Sequence, residues 1–172
     1  MDLRYPIGDF VMPDALDTAR RDEALTVLAD APQRLRQVVE GLSEEQLDTP
    51  YRPDGWTSRQ VVHHLFDSHA NSYIRFKLGL TEDVPTVGTY REELWGELPD
   101  AKGDIEVSLR LLEALHERWV GLLTTLTAEQ WGRRIDHPEV GLIRLDQLLA
   151  IYEWHSLHHV AHIRSLRDRK DW

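Results

Sequence analysis

Tyr152-Glu153-Trp154-His155-Ser156-Leu157-His158-His159-Val160-Ala161-His162-Ile163 is the stretch on which the reading of this chain turns. Four of its residues are histidines, and the apolar positions around them (Leu148, Leu149, Ile151, Tyr152, Ile163, Leu166) keep helical spacing from about Leu145 to Arg169. At about 3.6 residues per turn, His158 and His162 stand one turn apart on one side. His155 lies near that side a turn earlier, and His159 points about a quarter-turn away from His158. Two imidazoles at i and i+4 can converge on one divalent ion at about 2.0–2.1 Å, leaving a third ligand to come from another helix. A helix that carries its polar rings inward belongs in a bundle.

Working outward, three further segments carry helical periodicity. One runs from about Asp17 to Gly41, with Leu25, Leu28, Leu35, Val38 and Val39 on one stripe and Pro32 expected to kink or divide it. A second runs from about Thr57 to Leu80, opened by the capping box Thr57-Ser58-Arg59-Gln60 and stopped by Gly79 and the TEDVPTVG stretch (81–88). A third runs from about Asp104 to Leu126, with Leu109, Leu112, Leu115, Trp119, Leu122 and Leu123 as its stripe. Leu42-Ser43-Glu44-Glu45-Gln46-Leu47 and Leu126-Thr127-Ala128-Glu129-Gln130-Trp131 form a weak repeat, each a capped turn followed by a loop and a long histidine-bearing helix. The fold class is all-α: a single domain over 1–172, built as a four-helix bundle with long connections. Residues 1–15 are expected to form an irregular N-terminal arm packed on the outside, and a short hairpin is possible near 133–144, where Asp136-His137-Pro138 and Gly141 are turn residues.

Composition narrows the function. The 172 residues include no cysteine, which excludes disulfides, thiolate zinc sites and cysteine nucleophiles. Lys+Arg number 20 against 30 Asp+Glu, so the net charge is −10, the wrong sign for a nucleic-acid partner. No apolar run approaches a membrane span and the first residues lack a signal-peptide core, so a cytoplasmic location with no membrane partner is expected.

The third ligand comes most simply from the second helix. His64 shares an inward stripe with Val61, Leu65, Ser68 and Ser72, whereas His63 lies to one side. Asp67, Asn71 and Arg75 follow His64 at +3, +7 and +11, a rail directed into the same interior. The expected metal set is therefore His64, His158 and His162, suited to Zn, Ni, Cu or Fe rather than Ca or Mg. His69, His116 and His137 have no partner at ligand spacing and read as surface or hydrogen-bonding residues. The zinc-peptidase pattern places Glu directly after the first His of HxxxH; here that position is His159, so a peptidase is excluded on its own motif. Asp67 or Glu153 would have to serve as any protein base.

Three blocks together, YPIGDF (5–10), LDTPYRPDGWTSRQVVHHLFDSHANSYIRFKLGLTE (47–82) and YEWHSLHHVAHI (152–163), resemble the YfiT-type proteins of the DinB-like superfamily over nearly the whole chain. The resemblance implies a four-helix bundle, a homodimer, and one Zn or Ni ion per chain held by three histidines. It places the ligands at the second histidine of QVVHHL, which is His64, and at the pair His158 and His162. Family members are labelled metal-dependent hydrolases, and related ones look like S-transferases that join a low-molecular-weight thiol such as bacillithiol to an electrophile.

Two chemistries suit such a centre on a small-molecule substrate. In thiol transfer the ion stabilises a thiolate, Arg75 grips a carboxylate of the thiol cofactor, Asn71 orients it, and Trp154 and Tyr152 wall the pocket. In hydrolysis the same position activates water. A third possibility is a non-catalytic, metal-stabilised binding protein, its shell closed by His155 or Asp67 instead of water.

Overall fold

The computed structural model describes residues 2–172. Four long helices carry the structure: α1 (Thr18–Val39), α3 (Ser58–Thr81), α5 (Ile105–Leu123) and α7 (Leu145–Lys170). Single-turn helices α2 (Glu44–Leu47), α4 (Glu92–Trp95) and α6 (Ala128–Trp131) and a 3-10 turn (Pro99–Lys102) lie in the connections. The expected hairpin is present as β1 (Arg134–His137) against β2 (Gly141–Arg144), antiparallel, with Ile135 opposite Ile143. No helix of the described residues is long and apolar enough to cross a membrane.

Local chemistry sets the boundaries. At Ser43, Thr57 and Thr127 both halves of a capping box form, so the short repeat read from sequence is the same N-terminal device used before α2 and α6, and again before α3. In the bundle α1 packs on α5 and α7, and α3 packs on the same two, which puts α1 and α3 on a diagonal. The core has two apolar clusters. One gathers Leu28, Phe76, Trp119, Trp131 and Leu148 with the hairpin's Ile135 and Ile143. The other gathers Leu35, Val61, Leu65, Leu112 and Ile163. The histidines of α3, α5 and α7 lie in the interior beside these clusters.

Several sequence expectations change. Pro32 neither ends nor divides α1, which runs unbroken through it. The carbonyl a proline leaves without its usual amide donor is that of residue i−4, here Leu28, and His116 Nδ1 supplies the missing donor at 2.6 Å. Gly79 lies inside α3 rather than at its end. The N-terminal arm is a wall of the interior as well as an outer cover: Arg4 and Gly8 offer carbonyls to His162 and Trp154, and Gln147 donates to the Pro13 carbonyl. Trp119 and Trp131 are buried in the core, whereas Trp95 is exposed.

Gly79 explains how α3 meets the hairpin. A Cβ there would lie 2.8 Å from Ile135 Cγ2 and 2.9 Å from Leu145 Cδ2. Overpacking costs about 1–3 kcal/mol, against roughly 1 kcal/mol of helix propensity that alanine gains over glycine. Gly79→Ala is therefore expected to lower stability by up to about 2 kcal/mol in urea titrations. An unchanged or higher midpoint would mean that Ile135 and Leu145 move aside freely.

Candidate metal centre

The capping box at Thr57 fixes the start of α3 and turns His64 into the bundle. Opposite it, α7 presents its histidines, and the two helices bring together His64, His155 and His159, with ring nitrogens all within 4.8 Å of one another. His64 Nε2 faces His155 Nε2 at 3.2 Å. That spacing is close to the roughly 3.3 Å separating two nitrogens about 2.05 Å from a shared tetrahedral ion. His159 packs edge-on against both rings, at 4.8 Å from His64 and 4.4 Å from His155 between centroids.

This differs from the expected set. His158 and His162 form a second group with His159, but His64 does not join it. Their rings are otherwise engaged: His158 stacks on Trp154 at 4.2 Å, and His162 stacks on Tyr51 at 3.9 Å and donates Nε2–H to the Arg4 carbonyl. The reason is rotational. The pairs 155/159 and 158/162 have the same spacing, and a three-residue offset moves a position only about 60° round the helix. The packing of α7 against α3 decides which pair meets His64. The sequence carried a signal for the observed trio, namely that second, overlapping HxxxH pair.

All five rings line one cavity of about 960 Å³, together with Tyr5, Tyr51, Trp56, Trp154, Arg4, Arg52 and the exposed Glu92, Glu93 and Glu97. A second cavity of about 560 Å³ adjoins it, sharing His155, Glu92, Glu93 and Leu94. Arg75 lies in this second space, donating to Tyr152 Oη at 3.3 Å and the Gly88 carbonyl at 2.8 Å, with its buried Nε making no hydrogen bond among the described residues. Trp154 sits where expected on the histidine cavity's wall, its Nε1 donating to the Gly8 carbonyl.

Asp67 and Asn71 do not point into the histidine cavity. Asp67 stands about 60° round α3 from His64 and lines a separate cleft with His63, Phe66 and Asp100. Asn71 turns its amide back onto the Asp67 carbonyl at 2.8 Å. Glu153 is ion-paired with Arg20. Arg59 is buried and binds Asp48, Glu44 and the Gly103 carbonyl. His63 is held by Ser108 Oγ at 2.7 Å.

Burial keeps the inward imidazoles neutral, the state a metal ligand requires. It pushes His64 down to about 3, with His158 and His162 adding a smaller effect. It holds His155 and His159 well below the ordinary histidine value. His69 and His116 were assigned no metal role from sequence, and both are buried behind the trio. Burial holds His116 near 4 and His69 well below its usual range.

Asp67 shows the opposite sign. Burial first, then the nearby Asp100, raises its carboxyl to about 6 from 3.8. The folded protein then holds a proton that the unfolded chain releases, so stability falls as pH climbs from about 4 to 6. Asp67→Asn is expected to melt higher than the parent at pH 7–8, with the gap closing by about pH 4. A gap independent of pH would show that the carboxylate carries no such burden.

The chain's relatives agree with this architecture. A family model described as the DinB superfamily matches residues 28–163. A Bacillus cereus (strain 03BB102) protein named "Putative metal-dependent hydrolase" is 50% identical over 171 residues, covering 99% of both chains. A Bacillus anthracis (strain A0248) protein of the same name matches equally. Among solved structures, YfiT from Bacillus subtilis, described as a probable metal-dependent hydrolase with an unusual four-helix bundle topology, superposes with a TM-score of 0.97 at 49% identity, covering 100% of this chain and 99% of that one. With this coverage and identity, the chain belongs to the DinB superfamily, in its YfiT-type branch.

Proposed function

We propose that this protein is a metal-dependent enzyme whose single divalent transition metal is held by His64, His155 and His159. The observation that supports this most strongly is the convergence of three neutral imidazoles from two helices beneath a cavity of about 960 Å³. The donor set is all nitrogen, which suits Zn or Ni and does not suit Ca or Mg. Three protein ligands are the complement of a catalytic centre, since structural sites are closed by a fourth. The relatives' names support a metal requirement and hydrolysis.

Within that class we favour activation of a small thiol for transfer to an electrophile. A divalent ion here supplies Lewis acidity, lowering the pKa of a thiol or water that approaches its open side. The chain contributes the surroundings. His64, His155 and His159 bring no charge to offset the ion's. Trp56 and Trp154 wall the cavity and limit water. Arg4 and Arg52 at the cavity wall, and Arg75 with its free Nε in the adjoining space, offer guanidinium groups to a carboxylate-bearing thiol such as bacillithiol. The carboxylates that line the cavity, Glu92, Glu93 and Glu97, are exposed. Water activation calls for a positioned base, and a thiol does not. Hydrolysis is the second reading, and the relatives' names are what favour it.

Metal analysis of purified protein should find about one divalent transition metal per chain, by the ligand count. His155→Ala and His159→Ala are expected to lose it and His162→Ala to retain it. Loss in His158→Ala and His162→Ala with retention in the other two would restore the set read from sequence. With the metal loaded, monochlorobimane should be consumed only when a thiol is also present. Thiol-independent turnover of an ester or amide would establish the hydrolase instead.

A further inference from the structure

A chain of hydrogen bonds leads from α1 to the proposed centre through three rings. It begins at Pro32, whose missing N–H leaves the Leu28 carbonyl without its helical donor. A carbonyl only accepts, so His116 Nδ1, 2.6 Å away, carries a hydrogen. A neutral imidazole has one N–H and one bare nitrogen, so His116 Nε2 is the acceptor. Facing it at 2.7 Å is His69 Nδ1, which must then be the donor. His69 Nε2 is left bare, and its partner at 3.1 Å is His155 Nδ1, which donates in turn. That leaves His155 Nε2 with a lone pair, and this is the atom that faces His64 Nε2.

We propose that His69 and His116 are positioning residues that lock His155 in the tautomer whose bare Nε2 points at the metal site. The proposal rests on the ligand reading above, and it adds what selects the ligand atom. The direction of the chain is set at its far end, because Leu28 cannot reverse roles. Each ring is also fixed in rotation: His69 is enclosed edge-on by Trp119 and Tyr152, and His116 by Trp119. Partners behind a metal-binding histidine orient the ring and raise its basicity, and their loss commonly weakens metal binding by about 10–100-fold. Ordinary core histidines would bond to whichever carbonyl lay near. Here two of them bond to each other and finish on a ring of the trio.

Long-range proton–nitrogen NMR on metal-free protein labelled at histidine reads the tautomers directly. His116, His69 and His155 are each expected as the Nδ1–H form, and an Nε2–H form at His155 overturns the proposal. Independently, His69→Leu leaves His64, His155 and His159 in place and is expected to weaken Zn2+ binding about 10–100-fold in chelator competition. Unchanged affinity in a variant with parental helical content overturns it as well. If His69→Leu does not fold, the NMR measurement on the parent protein decides. If the parent itself binds no Zn2+, the ligand reading has failed, and the tautomers still test the chain of bonds.

Discussion

An imidazole taken out of water has two ring nitrogens to satisfy, and leaving either unpaired carries a desolvation penalty of about 1–3 kcal/mol. This protein buries its histidines within and around one bundle interior, so that demand organises much of what surrounds them. His63 takes Ser108 on α5. His162 takes the Arg4 carbonyl, which draws the N-terminal arm across the histidine face and makes it a wall of the cavity. His116 takes the Leu28 carbonyl on α1. His64, His69 and His155 take other rings. Among the described residues the buried Nδ1 atoms of His158, His159 and His162 are left without a hydrogen bond, all beside the cavity. In a well-packed protein such orphans are uncommon, and all three rings line the histidine cavity.

The same demand accounts for Pro32. In isolation a proline in the middle of a helix removes a hydrogen bond and crowds the preceding turn, at a cost of about 3 kcal/mol. In α1 the freed carbonyl is not wasted, because a side chain from α5 fills the place of the absent amide. The defect in one helix thus becomes an acceptor of fixed polarity in the core. Helix packing then has a chemical consequence: through His116 on α5 and His69 on α3, the direction of the proton donors at His155 is set from α1.

Much of the architecture was legible in the sequence because it rests on local rules. Periodicity located α3, α5 and α7 to within a few residues, three capping boxes were visible as Ser or Thr followed by Gln, and turn residues marked the hairpin. What escaped was tertiary. Gly79 reads as a helix stop because glycine usually is one, and only the hairpin's approach reveals it as a clearance. Asp67, Asn71 and Arg75 read as one rail, but +3, +7 and +11 drift round the helix by about 80° in total. Arg75 therefore enters an adjoining cavity while Asp67 faces another cleft. His69 and His116 were passed over because ligand spacing along one helix says nothing about rings that meet across two.

The histidine register is the sharpest case. The pairs 155/159 and 158/162 are equivalent as strings, and the two differ by a rotation of about 60° about α7. The HxxxH spacing alone does not choose between them. The choice is made by what each ring finds: Trp154 and Tyr51 stack on His158 and His162, while His69 reaches His155 from α3. Aromatic walls and a second layer of histidines therefore do the same work from opposite sides, holding one pair against the cavity wall and pulling the other toward His64. Which pair meets His64 is accordingly a property of the bundle's packing more than of the HxxxH motif.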